Sequence, residues 1–178
     1  MDFTHDTRLS LQALTALVNT RHPDTLTTVA DLDDLCDRWR WSGGRNHDEA
    51  ELQAVRDVRD RLAGFWGADE QTVVNLINAL LFEGNALPQL VRHDGFDWHI
   101  HATRPDDPLV MRMVVEYAMS MMDVVRAGDL DRLSYCAADD CDQVVLDLSR
   151  NRSRKFCDSG CGNRSNVAAY RARRKRAD

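Results

Sequence analysis

Cys136-Ala-Ala-Asp-Asp-Cys141, Asp-Gln-Val-Val-Leu-Asp-Leu-Ser149, Arg-Asn-Arg-Ser-Arg-Lys-Phe156 and Cys157-Asp-Ser-Gly-Cys161-Gly-Asn-Arg164 follow one another without a break near the end of a 178-residue chain. Two cysteine pairs flank two short strand-like runs joined by a polar turn. Zinc needs four soft donors in a tetrahedron, and a hairpin that brings two close pairs together supplies them with little backbone strain. The pairs enclose four and three residues, wider than the common two-residue spacing. The 46 residues from 133 onward hold few large apolar side chains, and so small a segment rarely folds on burial alone. The pattern therefore points to one structural Zn2+ on Cys136, Cys141, Cys157 and Cys161, with no histidine among the ligands. Cys36 stands apart and reads as a small core residue.

The charge divides where the cysteines begin. Residues 1–132 carry 13 arginines and 23 acids, a net of −10, whereas residues 133–178 carry 10 basic residues and 6 acids, a net of +4. All ten of those basic residues lie in 148–177, beside the single acid Asp158. Four thiolates on one Zn2+ bring the tail down to about +2, yet 162–177 stays strongly basic. Such a segment suits a polyanion; a solvated basic terminus is the plainer reading. If Cys161 opens a helix, Arg164, Arg171 and Lys175 share one side, with Asn163, Val167, Tyr170 and Arg174 beside them. Val167, Ala168 and Tyr170 are then expected to pack on the hairpin, leaving guanidinium groups outward for phosphates or guanine edges. Arg164 and Asn163 have a second reading, support of the zinc thiolates.

Before residue 128 the period is helical. Leu11, Leu14 and Leu17 or Val18 mark a helix over 8–20. Thr28-Val-Ala-Asp31 reads as a capping box, followed by Leu32, Leu35, Cys36 and Trp39 up to Gly43-Gly44. Leu52, Val55, Val58, Leu62 and Phe65 mark 47–65, and Asp69 caps a segment that buries Val73, Leu76, Ile77 and Leu80 before Gly84. The period changes to two at Phe96, Trp98 and Ile100, so 88–103 reads as a hairpin turning at Asp94-Gly95, its apolar face inward. Pro108 starts a helix over 108–127, ended by Gly128; Met111, Val114, Val115, Ala118, Met119, Met122 and Val125 make it the central one. The expected fold is mainly α with a small β-hairpin (α+β). A helical domain, 1–128, precedes a small finger, 129–178, built of knuckle, β-hairpin and helix. The first is expected to fold without metal and the second not to.

Other candidates have plain alternatives. His99 and His101 project from the strand face opposite Phe96, Trp98 and Ile100, and with His93 across the turn they could bind a metal; exposed hairpin histidines are the ordinary explanation. Asn19 and Thr20 either line a small-molecule pocket or end a helix before Pro23. No nucleophile beside a base, phosphate loop or open metal position is visible, so the sequence points away from an enzyme. No apolar run approaches the ~18 residues of a membrane helix. Met1 to Asp6 is acidic and lacks the apolar stretch of a signal peptide, so a cytoplasmic location without membrane partners is expected.

Cys161-Gly-Asn-Arg164, with Cys136, Cys141 and Cys157 before it and the basic stretch to Arg176 after it, resembles the bacterial CGNR zinc finger. In that family the finger follows a helical ABATE domain, whose entry motif is similar to Leu17-Val18-Asn19-Thr20. Phe156 departs from the Trp common before the third cysteine. The resemblance implies a stress-related transcription regulator whose finger binds DNA, for which Arg164, Arg171, Arg173, Arg174, Lys175 and Arg176 are the candidate contacts. The acidic domain would then sense a small effector, at Asn19 and Thr20, or form a homodimer. The alternative is a protein-interaction module whose basic helix docks on an acidic partner or on the chain's own acidic domain.

Overall fold

The structure, a computed structural model, describes residues 3–92 and 97–177, with the side chains of 172 and 175–177 set aside. Among these residues the fold is mainly helical with two small antiparallel hairpins. In chain order come α1 (His5–Asn19), α2 (Val29–Arg38), α3 (Glu49–Leu62), α4 (Glu70–Glu83), β1 (Gln89–Val91), β2 (His99–His101), α5 (Leu109–Ala127), β3 (Leu133–Tyr135), β4 (Val144–Leu146) and α6 (Cys161–Ala177).

Local chemistry sets most helix ends. Thr4 accepts from the Thr7 amide and starts α1 three residues earlier than the apolar stripe indicates. Thr28 and Asp31 form the expected capping box, and Asp48 and Asp69 cap α3 and α4. Gly128, at φ 67°, ends α5 in the left-handed region that glycine adopts at little cost. α3 stops at Leu62, and a 3-10 turn completes the span expected to reach Phe65.

α5 is the central element, packed by α1, α3 and α4. Of its expected face, Val114, Val115 and Ala118 are buried, Met111, Met119 and Val125 half-buried and Met122 exposed, while Met113, Tyr117, Met121 and Val124 are buried as well. A helix apolar around much of its circumference leaves its exact facing to its neighbours. Tyr117 meets Trp41 edge to face, with ring centroids 5.5 Å apart, and burial pushes its phenol well above the usual range.

The first hairpin reverses its expected faces. Leu90 pairs with Ile100, and Val91 with His99. Trp98 and Ile100 point to solvent, whereas His99 is buried, donating through Nδ1 to the Asp97 carbonyl at 2.7 Å. His99 Nε2 and His101 Nε2 lie 3.1 Å apart, within hydrogen-bond distance. His93, the Asp94-Gly95 turn and Phe96 lie outside the described residues. His99 and His101 join no set of three or more potential metal ligands among the described residues. No described helix is long and apolar enough to cross a membrane.

In the second hairpin β4 is buried on both faces, while β3 is half-buried to exposed. Val144 and Leu146 enter the main helical core, while Val145 packs with Cys136, Cys157 and Cys161. The period of two thus assigns alternate residues of β4 to two different cores. Residues 1–128 and 129–178 meet across this shared strand, which changes the expectation that the first folds without the second.

Candidate metal centre and basic helix

The four sulfurs converge because each cysteine pair sits on a knuckle at one end of β3–β4. The Cys136 amide donates to the Gln143 carbonyl and the Ala137 amide to the Lys155 carbonyl, both at 2.8 Å, which ties the first knuckle to the start of the second. Gly160, at φ 80°, makes the turn between Cys157 and Cys161 in a conformation that strains other residues. The helix start packs on Phe156, whose ring lies 3.4 Å from where a Cβ on Gly162 would stand, an ordinary contact. An aromatic at position 156 therefore fills the place under the second knuckle.

All four Sγ atoms lie within 4.8 Å of one another. Cys141 to Cys157 spans 3.7 Å and Cys157 to Cys161 spans 3.5 Å. A tetrahedron with Zn–S bonds of ~2.3 Å has edges of about 3.8 Å, so these sulfurs fit one Zn2+. The thiols also show why a cation is needed. Burial, together with the three neighbouring thiols, pushes Cys161 up to about 12. Burial raises Cys136 too, but amide donation from Cys157 and Ala138 outweighs it and brings that thiol down to about 7. One site cannot hold four thiolates without a counter-charge.

Arg164 turns back on this centre. Its Nη2 donates to Cys161 Sγ at 3.1 Å and its Nη1 to the Ser159 carbonyl at 3.2 Å, with the Asp140 carboxylate 3.8 Å away. Cys161 and Asp140 hold the guanidinium above its usual pKa. The spacing that suggested an outward Arg164 also places it one turn beyond the thiolate, where the nearest charge captures it.

Other cations of the tail are paired inside the fold. Arg152 bridges Asp129 and Asp131, and Arg154 pairs with Asp158. Hydrogen bonding from Arg132 holds the Asp129 carboxyl below the usual range, and Arg152 adds to the effect. The Asp147 carboxylate accepts from the amides of Ser149 and Arg154 at 2.8 and 2.7 Å and so closes the loop after β4. Arg171, Arg173 and Arg174, by contrast, are exposed on α6 with no ion pair among the described residues. Arg150 and Lys155 share that state on the loop between β4 and the second knuckle, and the sequence reading did not single them out. The side chains of Lys175 and Arg176 lie outside the described set.

α6 does not pack as expected. From Asn163 to Arg171 every residue is exposed, including Val167, Ala168 and Tyr170, and only Cys161 is buried. The hairpin surface expected to receive Val167 and Tyr170 is already covered, because β4 is pressed between α1 and the zinc-binding cysteines.

Asn19 and Thr20 line a groove of about 420 Å3 where α1 and α2 meet the finger. Their polar groups are already engaged there. Asn19 Nδ2 donates to the Val144 carbonyl at 3.0 Å, and its Oδ1 accepts from the Val144 amide at 2.7 Å. The side-chain amide thus pairs with the free edge of β4 as another strand would. Thr20 is the C-cap of α1; its hydroxyl donates to the Leu17 carbonyl and accepts from Arg59. This serves as helix termination plus a latch, a role that required the distant strand to be seen. Two further bonds reinforce the latch: Trp66 Nε1 donates to the Val145 carbonyl at 3.0 Å, and the Tyr135 hydroxyl donates to the Trp66 carbonyl at 3.1 Å. Gly67, at φ 77°, allows the Tyr135 ring to within 3.1 Å of where a Cβ would stand. A second recess, of about 360 Å3, lies under β2 between Trp39, Trp41, His99, His101 and Glu116.

Comparison with known proteins agrees with this division. No curated protein matches the chain. Residues 132–174 match the CGNR zinc finger, and residues 11–128 match the ABATE family, described as "Putative stress-induced transcription regulator". With four sulfurs placed for one structural Zn2+ and two thirds of its length matched by the helical family, the chain belongs to the ABATE family and ends in a CGNR zinc finger.

Proposed function

We propose that the protein is a non-catalytic transcription regulator of the bacterial cytoplasm that binds duplex DNA through α6. The observation that carries this reading is the state of the cations. Arg152, Arg154 and Arg164 have partners in the fold, whereas Arg171, Arg173 and Arg174 stand exposed on a helix whose described side chains beyond Gly162 are all exposed. A projecting basic helix fits a major groove, where Arg contacts both phosphates and guanine. The zinc site would fix its direction, and Arg164 would serve that site while the distal arginines meet the DNA. The acidic helical part, at −10 over 1–132, would stay away from phosphate.

A mobility shift of the full zinc-loaded chain against salt tests the proposal. With about four to six phosphates neutralised, log K should fall against log salt with a slope of roughly −4 to −5. Arg171→Ala or Arg173→Ala should each flatten that slope by about one unit without loss of zinc. Binding that ignores salt, or that survives both substitutions together unchanged, would refute the assignment.

A second reading is supported by Val167 and Tyr170, which stand exposed among the arginines. A mixed apolar and basic face also suits an acidic protein partner. In that case Tyr170→Ser should abolish capture of the partner while duplex DNA fails to bind at any salt. Docking of α6 on the chain's own acidic part has no support, since α6 is exposed throughout its described side chains beyond Gly162. For the helical part, the engagement of Asn19 and Thr20 weakens the effector reading at that groove and favours self-association.

A further inference from the structure

Neither the zinc centre nor α6 accounts for the recess under β2. Four parts of the helical domain line it: α1 with Asp6 and Ser10, the segment after α2 with Trp39, Arg40 and Trp41, β2 with His99 and His101, and α5 with Glu116. Its volume of about 360 Å3 falls within the range of small-molecule sites, roughly 300–1,000 Å3. Such sites are largely preformed, mostly apolar, and carry a few converging polar groups. The indole wall is fixed in advance. The Trp41 amide donates to the Cys36 carbonyl at 3.0 Å, its ring stands edge to face on the buried Tyr117, and the neighbouring Ser42 carbonyl accepts from the buried Arg112. The histidine wall is fixed as well, with the His99 and His101 rings 4.8 Å apart and inclined at 68°.

The charges of this lining are unequal. Two carboxylates, Asp6 and Glu116, stand against one guanidinium, and that of Arg40 is exposed. The Ser10 hydroxyl is spent on Ser120 and the Glu116 carbonyl. Asp6 is half-buried and makes no hydrogen bond or ion pair among the described residues. A carboxylate drawn partly out of water gains most from a cation placed beside it.

We propose that this recess binds a small organic ammonium ion with an aromatic or aliphatic body. Indole faces attract such cations through the ring quadrupole, and the two carboxylates supply the counter-charge. The −10 of residues 1–132 raises the local concentration of cations and lowers that of anions. An anion would have to enter against that field and lie beside Asp6 and Glu116 for the sake of one exposed arginine. A neutral ligand would leave the Asp6 carboxylate unpaired. The assignment concerns the helical part alone and stands whether or not α6 binds DNA.

Isothermal titration calorimetry of the full zinc-loaded chain with benzyltrimethylammonium tests this, at about 0.15 M salt to screen the long-range attraction. One ion should bind per chain with a Kd of roughly 0.1–1 mM. Neutral 2-phenylethanol should bind at least about 10-fold more weakly, and phenylacetate should give no heat of binding. Asp6→Asn with Glu116→Gln should weaken the ammonium by about 10-fold or more, with the thermal melt and one zinc per chain retained. Trp39→Leu should abolish binding and Trp39→Phe, which keeps a weaker ring, should restore part of it. Trp98→Ser, on the outer face of the same hairpin, should change nothing. No saturable binding up to about 10 mM, equal affinity for the alcohol, a chain lacking both carboxylates that binds as tightly as wild type, or binding lost through Trp98→Ser would each overturn the proposal.

Discussion

The two hairpins are built alike and used differently. Each has two three-residue antiparallel strands. β1–β2 presents Leu90, Trp98 and Ile100 to solvent and places His99 inward, while all of β4 is buried, Val144 and Leu146 toward the helices and Val145 toward the cysteines. The free edge of β4 is closed by the Asn19 side-chain amide. Strand length and composition do not separate the two cases. What differs is the number of cores within reach, two for β4 and none for the outer face of β2. A short strand gains its stability from the surfaces packed on it.

The strongest way to break this contrast is to remove the metal that fixes one side of β4. Cys157→Ser or Cys161→Ser should eliminate zinc, whose binding contributes about 10–16 kcal/mol in small sites. Because Val144 and Leu146 belong to the helical core, the helical signal should also melt earlier. A helical melt unchanged in the zinc-free variant would show the two cores to be independent. Next in size, Leu146→Ala should cost about 2–5 kcal/mol in a denaturant titration. Its counterpart Leu90→Ala, examined at a concentration where the chain is monomeric, should stay within about 0.5 kcal/mol. Equal costs would erase the distinction drawn here.

Asn19→Ala sharpens the comparison at the strand edge. It leaves the Val144 amide and carbonyl without their bonds from α1 and should cost about 1–3 kcal/mol. Asn19→Asp, which keeps only the acceptor, should restore part of that loss. A further test concerns Arg164. Arg164→Ala removes a donor to the Cys161 sulfur and should weaken zinc binding by about 10- to 100-fold against a competing chelator. Protons compete with zinc for the thiolates, so zinc is held at higher pH and released as pH falls. Without the guanidinium that favours the Cys161 thiolate, the release should move to higher pH. An unshifted release curve would mean that Arg164 serves the fold or DNA rather than the metal.

Much of this was legible from local chemistry. Thr28 with Asp31, Asp48, Asp69 and Gly128 mark helix ends because a cap acts within a few residues of itself. The cysteine pairs declared the zinc centre because four soft donors in two close pairs have little else to do in so small a segment. The facing of Met113 and Met121, the inward His99, the engagement of Asn19 and the exposure of Val167 and Tyr170 were not legible. In each case the side chain's surroundings come from a residue far along the chain. Asn19 and Val144 are 125 residues apart. An amide at a helix end looks the same in sequence whether it caps, binds a ligand or pairs with a strand.

The sequence by itself determined the helices, the division of charge and the identity of the metal ligands, since these follow from periodicity, composition and donor chemistry carried by neighbouring residues. Only the tertiary structure decided which face of each hairpin is covered, which arginines stay free for a partner, and that one strand belongs to two cores. Those outcomes depend on which surfaces compete for the same side chains once the chain is closed, and that competition is not encoded at any single position.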